Sequence, residues 1–134
     1  DGDPPARVLV HDCHGAPGMV CRFAAAPRTH AWDELLRAAG EPVWAAGPLE
    51  KGPSLCHGTA GSAMACLKLW QRFGDARWLD RARALAWHAA LQVERYRARH
   101  GMGRHSLWTG DLGVAVTLWH CVAKDAHFPT LDVF

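Results

Sequence analysis

The chain has 134 residues, 49% hydrophobic and 21% charged, with a formal net charge of +2. This is the composition of an ordinary globular domain and excludes disorder, while 15 basic against 13 acidic residues gives no general surface for nucleic acid or anionic membrane. No run approaches the roughly 18 apolar residues of a membrane helix, and Asp1-Gly2-Asp3-Pro4-Pro5 lacks the basic and apolar regions of a secretion signal. The chain therefore reads as a soluble, cytoplasmic segment without a membrane span. A start without Met and a load of 7 Trp suggest a piece of something larger.

In chain order, the first feature is Cys13-His14-Gly15-Ala16-Pro17-Gly18, followed by an apolar run from Met19 to Ala26. A short return helix is expected from His30 to Ala39, stopping at Gly40 ahead of Pro42. Cys56-His57-Gly58-Thr59-Ala60-Gly61 then repeats the first motif before a helix, Ser62 to Phe73, that is apolar on most sides. The next helix is amphipathic: Trp78, Leu79, Ala82, Leu85, Ala86, Ala89 and Ala90 recur at helical spacing with charged residues between them. Trp108-Thr109-Gly110-Asp111-Leu112-Gly113 is a third G-x-x-G turn, with an apolar run from Val114 to Val122.

The repeating unit is thus glycine turn, apolar helix, return helix. Buried helices alternating with amphipathic ones predict an all-α fold of two concentric layers, a toroid, and no alternating strand pattern competes. Pro27, Gly47-Pro48, Gly52-Pro53, Gly74 and Gly101 to Gly103 punctuate the helices as hairpin connections do.

The five cysteines are odd in number and widely spaced, unlike a secreted disulfide framework. They suit metal ligands plus one or two buried apolar thiols. Cys thiolate and His imidazole are preferred zinc ligands, and two Cys-His-Gly copies in one repeat register open helices expected to be neighbours. Four ligands would close a structural tetrahedron, whereas three would leave a position for water or substrate. The residues alone leave both arrangements open.

Together with Lys51-Gly52-Pro53-Ser54-Leu55 before the second motif and Phe128-Pro129-Thr130-Leu131-Asp132 near the end, these motifs resemble the C-terminal portion of lanthionine synthetase C-like proteins. The resemblance covers most of the chain. It implies part of an (α/α) toroid over residues 1–134 with Zn2+ held by Cys13, Cys56 and His57. It further implies that the metal lowers the pKa of a thiol, from Cys or glutathione, for addition to a dehydroalanine or dehydrobutyrine in a peptide, giving a thioether.

On the same resemblance His14 is not a ligand and has a supporting role beside the site, and Lys51 stands where relatives contact a phospho-Ser or phospho-Thr awaiting elimination. A cation there would neutralise a phosphate or a developing enolate; a solvated loop lysine is the plain alternative. Lys51 and His14 are accordingly the catalytic candidates. Arg99 and Arg104 both qualify as the relatives' arginine upstream of the third turn. His11 is placed to line the mouth of the site, and Asp111 to cap a helix or face the cavity.

Asp12 departs from the relatives' usual Trp, as a carboxylate that bonds a ligand or is simply exposed. The upstream helices that supply the family's acid-base residues are not in this sequence, so apolar faces are expected to lie uncovered and turnover to be incomplete. A non-catalytic, zinc-stabilised helical module binding thiols or peptides is the alternative. A carbohydrate-processing toroid ranks last, since Asp111 alone supplies no carboxylate pair. The Arg95, Arg97, Arg99 and Arg104 cluster reads as a solvated helix end, with no nucleic-acid partner.

Overall fold

A computed structural model describes residues 9–132. Those residues form α1 (Ala16–Phe23), α2 (His30–Ala45), α3 (Thr59–Phe73), α4 (Ala76–His100) and α5 (Asp111–Ala123). Among them there is no strand, only an isolated bridge between Val10 and Gly15. The three helices that follow glycine turns, α1, α3 and α5, pack in sequence, with α3 between the other two; α2 lies against α1 and α3, and α4 against α3 and α5. This is the predicted alternation of an inner row with return helices.

Helix α3 is the centre of the core. Ala60, Ala63, Met64, Ala65, Cys66, Leu67 and Leu69 are all sealed from solvent, which explains why its sequence shows no wet face. Its start is Gly58 and its end Gly74, in the left-handed conformation at φ 68°, the usual glycine stop. Helix α4 begins at Asp75, whose side chain accepts from the Arg77 N–H, and it also ends on a left-handed glycine, Gly101.

Helix α2 corrects the sequence expectation, running through Gly40 and Pro42 to Ala45 instead of stopping at Ala39. Gly40 is there for close packing: a Cβ at this position would sit 2.4 Å from Leu69 and 2.5 Å from the Trp78 ring. Pro42 lies inside the helix, and its carbonyl still accepts the Ala46 N–H that caps it.

Two buried cations of α3 hold irregular segments. Arg72, its side chain 2% exposed, donates to Asp33 and to the carbonyls of Ala24, Ala26 and Pro27, pinning the connection after α1. Lys68 pairs with Asp132, whose Oδ2 also accepts the Phe128 N–H, drawing the closing segment and the fully buried Phe128 onto the core. Large apolar side chains lie uncovered along α4 and α5, where Trp87, Trp119 and Val122 are 65%, 67% and 73% exposed.

Candidate metal centre

The three G-x-x-G turns share one construction. A Cβ on Gly18, Gly61 or Gly113 would lie 1.8, 2.2 and 2.2 Å from the carbonyl oxygens of Asp12, Leu55 and Leu107 respectively. Each of these residues immediately precedes the Cys, Cys or Trp of its own motif. The second glycine is therefore a requirement of space, letting each helix start directly beneath its own turn. Neighbouring turns are joined at equivalent residues: the Cys13 N–H donates to the Cys56 carbonyl at 3.0 Å, and the Cys56 N–H to the Trp108 carbonyl at 2.9 Å.

This stacking brings the side chains of the first two turns together. One donor atom each from Cys13, Cys56 and His57 lie within 4.8 Å of one another, a spacing that fits a single tetrahedral cation with two sulfur ligands and one nitrogen. Cys13 is exposed while Cys56 and His57 are half-buried, so the trio opens outward. Burial pushes the Cys56 thiol up, and the neighbouring Cys13 and Asp12 add to this, with Arg22 opposing. A cation would reverse that tendency by favouring the thiolates. Trp108 occupies the corresponding place in the third turn and packs its ring against Phe128 at 5.6 Å, so that turn contributes no donor.

Beside the trio lies a cleft of about 630 Å³ whose walls include Val10, His11, Leu49 and Lys51. His11 connects the two features, its ring centroid 6.4 Å from that of His57, edge to face. The segment bearing Lys51 is anchored: the Leu49 N–H donates to Thr59 Oγ1, Thr59 Oγ1 donates to Gln92 Oε1, and Gln92 Nε2 returns to the Leu49 carbonyl. Lys51 itself is exposed. His14 is exposed as well and stands outside the donor trio, its carbonyl accepting the His11 N–H at 3.1 Å.

The other candidates fall elsewhere. Asp12 bonds no ligand side chain and is not exposed; it is buried and paired with Arg22. Asp111 stands in the first turn of α5 without a side-chain cap bond to its own helix; its Oδ2 instead accepts the Arg104 N–H. Arg95, Arg97 and Arg99 are exposed, a solvated helix end as expected, and Arg104 lies 4.5 Å over the Tyr96 ring. Cys21, Cys66 and Cys121 are buried, three apolar thiols where one or two were expected. Burial holds Cys66 at about 12 and Cys121 at about 11. Sequence reasoning missed the carboxylate seat of Asp12, whose only signal was a charge where the sister turns carry Leu55 and Leu107.

Glycine-led helices in two layers, with two thiols and an imidazole converging at stacked turns, define a helical protein with an open metal-type centre. The sequence model for lanthionine synthetase C-like protein matches residues 3–133. The chain is 40% identical over 131 residues to "Glutathione S-transferase LANCL1" of Danio rerio, covering 94% of this chain and 32% of that protein. It is 32% identical over 142 residues to "LanC-like protein GCL1" of Arabidopsis thaliana, covering 99% and 32%. The chain belongs to the lanthionine synthetase C-like family, its five helices being a segment of the (α/α) toroid, and it spans about a third of the length of these relatives.

Proposed function

We propose that the chain is the C-terminal, zinc-bearing part of such a toroid, and that it serves thiol addition to dehydroamino acids in peptides. The observation that carries this reading is the convergence of Cys13, Cys56 and His57 within 4.8 Å at turns held together by main-chain bonds. These three residues would hold Zn2+, which when bound supplies Lewis acidity that favours the thiolate of an incoming glutathione or Cys. Three protein ligands leave room for that thiol, and the exposure of Cys13 gives it access.

The chain's own residues would supply the rest. Lys51, on the anchored wall of the cleft, places a cation where a phospho-Ser or phospho-Thr, or the enolate formed during addition, needs one. In the addition a sulfur–carbon bond forms at the β-carbon, the carbon–carbon double bond opens, and the α-carbon takes a proton. His11, between the cleft and His57, is placed to exchange that proton, with His14 exposed on the same turn as a supporting imidazole. The name of the Danio rerio relative supports glutathione as the thiol.

Zinc per chain, measured by mass spectrometry on the wild type, His14→Ala and His57→Ala, tests this reading. One zinc in the wild type and in His14→Ala, with loss in His57→Ala, is expected. Loss in both variants would make the site a closed structural one and favour a non-catalytic module. No zinc in the wild type would overturn the metal assignment.

A further inference from the structure

Asp12 is the point at which the chain breaks its own repeat. The equivalent residues of the second and third turns are Leu55 and Leu107, and Leu55 is sealed in the core. Asp12 is nearly as deep, its side chain 1% exposed, so a carboxylate takes a seat that the sister turns give to leucine. A carboxylate so placed is strongly disfavoured unless matched. Arg22 of α1 supplies the match as a fork: Nη1 donates to Oδ1 at 2.9 Å and Nη2 to Oδ2 at 3.1 Å. The same Nη1 also reaches the Gly18 carbonyl at 3.1 Å.

The fork ties the residue before Cys13 to α1. On its other side Asp12 abuts the second turn, its Cβ 3.3 Å from the position that a Cβ on Gly61 would take. Asp12 is thus wedged between the two turns that carry the donor trio. Cys13 itself is exposed, so little packing fixes its own side chain.

We propose that the Asp12–Arg22 fork is a positioning element for the metal centre, fixing the backbone from which Cys13 reaches Cys56 and His57; this rests on reading the trio as a metal site. A guanidinium fork suits the role because it sets direction as well as distance. The second turn needs no counterpart, since Leu55 is enclosed and Thr59 ties that turn to α4 through Gln92.

The test is zinc and cobalt titration of the wild type, Asp12→Asn, Arg22→Ala and Arg22→Lys, each repeated in a Cys13→Ser background, with far-ultraviolet circular dichroism as the check of fold. Arg22→Ala and Asp12→Asn should weaken binding on the order of 10-fold. The thiolate-to-cobalt absorption per bound ion should fall toward that of a single thiolate. Arg22→Lys, which keeps the charge without the fork, should lose less. In the Cys13→Ser background the same substitutions should cost nothing further, because the ligand they position is gone.

Equal losses with and without Cys13 would show general support of the fold and overturn the proposal while leaving the metal assignment intact. Unchanged affinity in Arg22→Ala, or in Arg22→Lys should the alanine variant not fold, would also overturn it. A wild type that binds neither metal would remove both readings together.

Discussion

The first and second Cys-His-Gly turns have the same backbone plan and opposite means of support. The second is built from the inside: Leu55 is enclosed, Thr59 hydrogen-bonds to Gln92, and the helix it opens is the most buried in the molecule. The first lies at an edge, opens a helix of eight residues, and relies on charged side chains, Arg22 beneath it and Arg72 behind its connection. Local sequence fixes the shape of a turn, whereas its rigidity depends on what lies underneath. A site shared between two such turns is only as well ordered as the weaker of them.

That contrast can be broken from either side. The largest effect is expected from Arg72→Ala, which leaves Asp33 and three carbonyls without their partner; removing one member of a buried, charged network costs about 3–5 kcal/mol. Urea unfolding should show this loss, and hydrogen exchange should show the connection after α1 opening first. Gly61→Ala should follow at about 3 kcal/mol, because its Cβ meets a main-chain carbonyl on the rigid side. Gly18→Ala makes a similar clash on the looser side, so it should disturb α1 locally while preserving most of the helical signal.

Thr59→Val sharpens the contrast at smaller cost. It strands the Leu49 N–H and Gln92 and should lower stability by about 1–3 kcal/mol, read as a shift in the urea midpoint. The smallest effect concerns acid. Burial raises the Asp132 carboxyl, but Lys68 and the Phe128 N–H outweigh this, so its pKa is lowered overall. Its contribution is complete above the ordinary carboxylate value of about 3.9 and is lost as pH falls through the lower folded value. Asp132→Asn should therefore flatten the acid limb of the stability curve, by under about 1 kcal/mol.

Much of the fold was legible because it is written locally. Gly74 and Gly101 marked the ends of α3 and α4, and the repeated Cys-His-Gly motif marked which turns would be neighbours. The end of α2 was not legible, because Gly40 serves packing against Leu69 and Trp78, residues remote in sequence, instead of termination. The same limit hid Arg72, whose partners lie in a distant connection, and Arg22, whose role depends on Asp12 being buried. For the candidate site, the family resemblance pointed to Cys13, Cys56 and His57, and the stacked turns bring those three together. His14 shares the motif but points to solvent, a difference that spacing alone does not encode.

The main-chain bonds linking Cys13 to Cys56 and Cys56 to Trp108 bear on how such a protein evolves. Together with the Asp12–Arg22 fork under the first turn, they place the starting point of each side chain without using that side chain itself, so a rung can exchange its chemistry while its place in the stack is kept. Thiol, thiol and indole now occupy the three rungs. An inherited scaffold of this kind allows a reactive group to be gained or lost by a single codon change, with the architecture left standing.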